Sequence, residues 1–267
     1  MDVVGKKAPI LFHSAFWLIL FVNLISVSLE IRWLEFFSKA LLIPSLAIFL
    51  WSSVSKRGLR WTRFLMAGLA LAFVGDMLLF FAGKGSGPLF LMGMVSFLAV
   101  HAFLIKHYMR IRDLNDLSTL PNLPVMFILF AVAVVLIDVI TSAAPRPLFF
   151  PLIIFGMTLA TSTGMSAQAF DRLTEPRAAM TVIGAILLMG SDITLGLGLT
   201  EKYHFPGLST LVMLTYGTGM YLIVRGTLET MKRRKKKSGQ ASDPTGDFEE
   251  DLGDFETTSE EDHLQTS

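Results

Sequence analysis

Long apolar segments alternate with short polar links along almost the whole chain. Eight segments have about 20 residues each, the length that an α-helix needs to cross the hydrocarbon core of a bilayer. They lie at 10–29, 34–54, 64–82, 88–108, 123–141, 147–168, 178–200 and 206–225. The links between them are rich in Gly, Pro, Ser or charged residues, which interrupt helices. The pattern therefore predicts an all-α fold, a polytopic membrane bundle of eight transmembrane helices.

The composition supports a membrane protein and argues against a soluble enzyme. Of the 267 residues, 52% are hydrophobic and 17% are charged, whereas soluble domains carry roughly a quarter charged residues. The chain has no Cys, so it cannot form a disulfide, a thiol nucleophile or a Cys-ligated zinc site. Its five His are not closely spaced. We therefore expect no metal site and no cofactor.

The basic residues predict the orientation of the eight segments. Eighteen of the 23 Lys and Arg residues fall on one side and four on the other, and Lys39 lies inside a segment. Because cytoplasmic links carry the excess of Lys and Arg, both termini are expected to be cytoplasmic. Residues 1–231 form the predicted transmembrane domain, which would hold any catalytic site. Residues 232–267 form a cytoplasmic part, with a polybasic run at 232–237 and a disordered acidic tail.

Two acidic residues inside apolar segments are the strongest candidates for function. A charge at the centre of a membrane helix costs at least about 2.5–3.5 kcal/mol on insertion scales. Asp76 and Asp192 have no basic residue three or four positions away, so each needs a partner on another helix or must remain protonated. They lie about 9 and 12 Å below the outer ends of their segments. A third acid, Asp138, lies about 5 Å from its helix end and is expected to be interfacial and solvated.

Three further polar residues lie inside the segments, and two of them also have a structural interpretation. Lys39, Tyr216 and His101 lie about 8, 15 and 20 Å from the outer ends of their segments. Lys39 can pair with Glu35, four residues earlier on the same helix. His101 can be a packed, hydrogen-bonded histidine. It lies on the same face of its helix as Gly93, where the lack of a side chain would let a neighbouring helix approach.

These residues resemble those of the YhhN-like lysoplasmalogenase family. The resemblance covers residues 10–230, with matches in five of the eight segments. The matching residues are Lys39, Gly75-Asp76, Gly93-x3-Phe97-x3-His101, Ser191-Asp192-Ile-Thr and Thr215-Tyr216. Relatives usually have a Gln four residues after the Tyr of the eighth segment, where this chain has Met220. That difference bears on the choice of substrate and on activity.

The resemblance implies a membrane hydrolase that cleaves the vinyl-ether bond of lysoplasmalogens. The products are a fatty aldehyde and glycerophosphoethanolamine or glycerophosphocholine. Catalytic roles are implied for Asp76, Asp192 and His101. Substrate-binding roles are implied for Lys39, Tyr216 and Ser191. The reaction needs a proton donor beside a group that tolerates positive charge, and two carboxyls in a low-dielectric site can divide these roles.

The expected partners are the lysophospholipid substrate, water and membrane lipids, and the sequence is compatible with a homodimer. The net charge of +1 gives no reason to expect a nucleic-acid partner. The expected location is the endoplasmic reticulum membrane. One alternative stays open, because buried acids in a helical bundle also suit a proton-coupled transporter or channel. A retinal-type photoreceptor is not supported, since the last two segments contain no Lys for a Schiff base.

Overall fold

The computed structural model describes residues 3–83, 87–115, 117, 120–143, 146–198 and 206–240. In these ranges the chain forms eight α-helices, with a short 3₁₀ turn at Arg146–Leu148 and no strand. The helices are α1 Val3–Ser28, α2 Arg32–Ser53, α3 Lys56–Ala82, α4 Pro88–Leu114, α5 Leu123–Ala143, α6 Phe149–Gln168, α7 Pro176–Leu197 and α8 Leu208–Gln240. The chain divides into two compact units, Met1–Thr230 and Met231–Ser267. The predicted disordered tail spans 238–267. Its first three residues, 238–240, continue α8 instead, and 241–267 lie outside the described residues.

Six of these helices are long and apolar enough to cross a membrane. They are α1, α2, α3, α4, α6 and α7, while α5 has a shorter apolar stretch, Leu123–Val139. The first turns of α8 are less apolar because they include Ser, Thr and Tyr residues, and Arg225 follows. The helices indicate a multi-pass membrane protein. The count of eight crossings and the cytoplasmic position of the termini stay predictions.

Several helices extend beyond the apolar segments that predict them. α3 begins at Lys56 rather than at 64, where Ser55 acts as the N-cap and its hydroxyl accepts a 3.4 Å hydrogen bond from the Gly58 N–H. α4 continues past 108 to Leu114, and α8 continues past 225 to Gln240. The polybasic run at 232–237 therefore belongs to α8, since Lys and Arg are good helix formers. The length of an apolar segment predicts the part of the helix that fits the bilayer, but it underestimates the full length of the helix.

Large apolar side chains cover the outside of the first unit, while polar groups collect inside it. Phe21, Trp33 and Phe150 are each more than half exposed, which suits contact with lipid rather than with water. In contrast, His107 and Thr227 are fully buried, and their side chains lie 2.8 Å apart. Lipid offers no hydrogen-bond partner, so polar groups in a membrane bundle are satisfied by other helices.

Glycines let two pairs of helices approach closely beside the candidate residues. A Cβ atom on Gly184 of α7 would lie 2.8 Å from the carbonyl oxygen of Gly219 of α8, and the reverse distance is the same. A Cβ atom on Gly93 of α4 would lie 2.7 Å from a methyl carbon of Leu79 of α3. Small residues at such crossings allow close packing of membrane helices. The predicted close approach at Gly93 is confirmed.

Candidate active site

A buried hydrogen bond joins two of the predicted catalytic residues across α4 and α7. Nε2 of His101 lies 2.8 Å from Oδ2 of Asp192, and the two side chains are 2% and 5% exposed. The ring of Phe155 on α6 meets the His101 ring edge-on, with 5.8 Å between the centroids. Nδ1 of His101 is buried and has no hydrogen-bond partner among the described residues. One ring nitrogen therefore holds the carboxyl, and the other is available to a substrate or to water.

The second predicted carboxyl has its own partner, on α8. The hydroxyl of Tyr216 donates a 2.9 Å hydrogen bond to Oδ2 of Asp76, and both side chains are buried. Lys39 on α2 and Asp192 on α7 both lie within electrostatic range of the Asp76 carboxyl. In the part of the chain that the structure describes, no ion pair joins Lys39 to Glu35. Lys39 thus does not form the ion pair along α2 that the sequence allows, and its charge lies near the Asp76 carboxyl.

Phe97 connects the two carboxyl pairs. Its ring meets the ring of Tyr216 nearly at right angles, with 6.0 Å between the centroids. It also packs on α3, where a Cβ atom on Gly75 would lie 2.8 Å from a carbon of the ring. The same ring lines a pocket together with Asp192. The residues therefore form one site, in which the Asp76 pair and the Asp192 pair adjoin a common aromatic side chain.

The pocket beside Asp192 is formed by α3, α4, α5, α6 and α7 and is almost entirely apolar. Its apolar lining includes Met94, Phe155 and Ile193, and its polar side chains are those of Asp192 and Thr141. Ligand pockets commonly combine such a lining with a few placed polar groups. The arrangement suits an apolar chain with one end beside the Asp192 carboxyl.

The contributions of α5 and α6 to this pocket were missed by sequence reasoning. Apolar residues on a membrane helix have the same character whether they face lipid or an internal pocket, so their pattern gives no signal. Gly156 of α6 gives one indication, since a Cβ atom there would contact the side chain of Ile137 on α5. Asp138, the acid in α5, is exposed, as expected for a solvated group near the interface.

Two residues near the carboxyls have packing roles in the structure. The Ser191 hydroxyl donates a 3.1 Å hydrogen bond to the carbonyl oxygen of Val212, which ties α7 to α8 beside Asp192. Met220 is 1% exposed and lies one helical turn after Tyr216. The substrate-binding role of Ser191 stays a prediction.

The side chains of the site suit acid–base chemistry. Two carboxyls, one imidazole and one phenol form two hydrogen-bonded pairs that adjoin the Phe97 ring. All of these groups can hold or transfer protons. Among the described residues, no group of three His, Asp or Glu side chains is arranged to hold a metal ion. The independence of the reaction from a cofactor stays a prediction.

A family comparison matches the part of the chain that carries these residues. The model of the YhhN family matches residues 34–227, a range that contains every candidate from Lys39 to Tyr216. The chain belongs to the YhhN family. This is the family of lysoplasmalogenases, and it is associated with hydrolase activity. No curated protein and no solved structure matches the chain.

Proposed function

We propose that this YhhN-family protein hydrolyses the vinyl-ether bond of lysoplasmalogens. The observation that carries the proposal is the buried His101–Asp192 hydrogen bond of 2.8 Å beside an apolar pocket. A lysoplasmalogen, such as lysoplasmenylethanolamine or lysoplasmenylcholine, has one alkenyl chain with its double bond at the glycerol end. A chain lying in the pocket would place that double bond beside Asp192. The products would be a fatty aldehyde and glycerophosphoethanolamine or glycerophosphocholine.

Asp192 is the proton donor in this proposal, because its carboxyl lines the pocket. It transfers a proton to the outer alkene carbon, and the vinyl ether becomes an oxocarbenium ion. The resulting Asp192 carboxylate lies next to the new positive charge. In a site shielded from water this attraction stabilises the ion more than it would in bulk solvent. Glycoside hydrolases use carboxyls for proton donation and for stabilising an oxocarbenium ion in the same way.

His101 handles the water and the leaving group. In this proposal the Nε2–H of His101 donates to Oδ2 of Asp192, whose transferable proton is on Oδ1. The Nδ1 atom is therefore free to accept a proton from the water that attacks the oxocarbenium carbon, and a hemiacetal forms. The imidazolium then gives that proton to the departing glycerol oxygen, while the Asp192 carboxylate takes the proton of the hemiacetal hydroxyl. The aldehyde and the glycerophospho product are released. Both residues have then returned to their starting protonation states.

Asp76 is assigned the role of an ionised carboxylate that supports the positive charge. The Tyr216 hydroxyl donates to it at 2.9 Å, and the Lys39 ammonium lies within electrostatic range. A hydroxyl donor and a cation both stabilise a carboxylate. We therefore propose that Lys39 and Tyr216 act through Asp76 as positioning residues, rather than by the direct substrate binding that the sequence predicts.

The proposal includes eight membrane crossings, with α5 and α8 as the two additional spans, and cytoplasmic termini in the endoplasmic reticulum membrane. It is supported by the excess of Lys and Arg on one side, eighteen against four. The natural chain has no Cys, so single cysteines introduced at Glu30 and Ser55 can be labelled selectively. A membrane-impermeant thiol reagent should label only the Ser55→Cys variant from the cytoplasmic side. Labelling of both variants from one side would contradict this topology.

The direct test of function is aldehyde release by the purified protein. Lysoplasmenylethanolamine should yield aldehyde, whereas lysophosphatidylethanolamine without the vinyl ether should yield none. Aldehyde from neither substrate would contradict the proposal. Proton movement into vesicles that contain the protein, without aldehyde release, would instead support the proton-coupled transporter or channel that buried acids also suit.

A further inference from the structure

A cluster of basic and aromatic side chains lies at the end of the first unit where α3 begins and α4 ends. Arg60, Trp61, Arg63 and Arg110 line a cleft of about 480 Å³. At 1.5 Å per residue, Arg60 lies about 24 Å along α3 from Asp76. The cluster is therefore separate from the proposed catalytic site and has no part in the proposed reaction.

The ring of Phe64 is the centre of this cluster. The guanidinium carbons of Arg63 and Arg110 lie 4.7 and 5.7 Å from its centroid, and the Lys106 ammonium lies 5.9 Å from it. Arg110 also lies 5.7 Å from the centroid of the Trp61 ring. Aromatic faces attract cations at such distances. These contacts hold the cations close together without cancelling the repulsion between them.

No carboxylate offsets this repulsion within the part of the chain that the structure describes. Arg60, Arg63, Lys106 and Arg110 form no ion pair with a described acid. Asp113, three residues after Arg110, has an exposed side chain and none of those ion pairs. A bias of basic residues toward one side of the membrane accounts for their number. It does not account for their convergence on one cleft, which favours an anion as the ligand.

We propose that the cleft binds the phosphate group of an anionic membrane phospholipid. Guanidinium groups match phosphate oxygens in geometry and charge. Phe64 lies one turn after Arg60 on α3, and Phe103 lies two turns before Arg110 on α4. Their rings are 6.3 Å apart and provide apolar surface for the start of the acyl chains. Aromatic residues at the ends of membrane helices lie at the depth of the head groups. A lipid therefore fits the cleft better than a free anion, because a free anion would contact only the basic side chains and not the aromatic rings.

Fluorescence quenching at Trp61 tests this proposal. The chain has four Trp, so replacing Trp17, Trp33 and Trp51 with Phe in the full chain leaves Trp61 as the reporter. In vesicles, brominated phosphatidylglycerol should quench this Trp at lower mole fraction than brominated phosphatidylcholine does. Each basic residue near an anionic lipid is worth about a fivefold change in binding. Arg60→Gln with Arg63→Gln should therefore reduce the preference at least about fivefold, while Arg60→Lys with Arg63→Lys should keep most of it.

Arg32 provides the matched control, because it also lies over an aromatic ring, Phe80, at 5.7 Å, but at the other end of α3. Arg32→Gln should leave the lipid preference at Trp61 unchanged. Equal quenching by the two lipids before any Arg is replaced would overturn the proposal. So would a loss of preference in Arg32→Gln as large as in the Arg60 and Arg63 variant. Displacement of the lipid by millimolar inorganic phosphate, at constant ionic strength, would show a site for free phosphate and also overturn it.

Discussion

The His101 imidazole on α4 and the Asp192 carboxyl on α7 form a 2.8 Å hydrogen bond inside the bundle. Both side chains are buried, and Asp192 also faces an apolar pocket. A buried hydrogen bond is costly to break, since the group left behind loses its partner in a medium that cannot replace it. The pair is thus held in place by the same surroundings that would make it reactive.

Replacement of His101 should separate catalysis from packing. Because His101 is proposed to exchange protons with water and the leaving group, His101→Gln should lower turnover at least about 100-fold. His107, another buried histidine on α4, is bonded to Thr227 and lies outside the site. His107→Gln should lower thermal stability while leaving turnover per folded molecule nearly unchanged. Aldehyde release and thermal melting of both purified variants would check this, and similar turnover losses in the two would contradict it.

The hydrogen bond between Tyr216 and Asp76 should contribute less than the carboxyl itself. Asp76→Asn should lower turnover at least about 100-fold, the scale for losing a group that stabilises transition-state charge. Tyr216→Phe removes one hydrogen bond to a charged group and should cost about tenfold, from a contribution of about 1.5 kcal/mol. Tyr221→Phe is the control, because the Tyr221 hydroxyl is bonded to His13 instead. Equal turnover for Tyr216→Phe and Tyr221→Phe would count against the assigned role of Asp76.

The charge of Lys39 should matter through Asp76 rather than through Glu35. Lys39→Met removes the cation within electrostatic range of the Asp76 carboxyl and should lower kcat. The KM for the substrate should change little, since Lys39 is not assigned to the pocket. Glu35→Gln should leave both constants unchanged. Steady-state kinetics would measure both constants. A normal kcat for Lys39→Met would indicate that Lys39 is only an interfacial cation with no part in catalysis.

The apolar pocket should set the preference for chain length. Met94 lines the pocket, whereas Met92, two residues earlier on α4, is 55% exposed on the outside of the bundle. Met94→Trp should raise KM for long-chain lysoplasmalogens more than for short-chain ones, because the larger ring shortens the space available. Met92→Trp should leave the ratio unchanged. An unchanged ratio in Met94→Trp would show that the alkenyl chain lies elsewhere.

The sequence predicts which residues are unusual but not which of them meet. Asp76 and Asp192 stand out because no residue on their own helix can neutralise them. Depths counted from helix ends separate His101 from Asp192 by about 8 Å, yet the structure joins them. That counting treats all helix ends as lying at one level and leaves out helix tilt and the reach of the side chains, so it cannot tell which groups meet. Tertiary packing sets the relative heights, and nothing in a single helix records them.

The helices themselves could be predicted better than their ends or the pocket. Apolar length locates the body of each helix, but α3 and α8 continue into basic residues that hydropathy counts as links. The pocket could not be predicted, because Met94 and Phe155 are as apolar as residues that face lipid. The close approach at Gly93 was predictable, since small residues in apolar membrane helices commonly lie where a neighbouring helix packs closely.

The measurement that tests the proposed chemistry most directly is aldehyde release from lysoplasmenylethanolamine by Asp192→Asn and Asp138→Asn in the same detergent. Asp138 is the matched control, an acid in an apolar helix whose side chain is exposed and outside the pocket lining. Circular dichroism should show that both variants retain their helices. We predict that Asp192→Asn loses at least about 100-fold in turnover, the scale for losing a general acid, and that Asp138→Asn stays near the unmodified protein. Near-normal release by Asp192→Asn would contradict proton donation by this carboxyl.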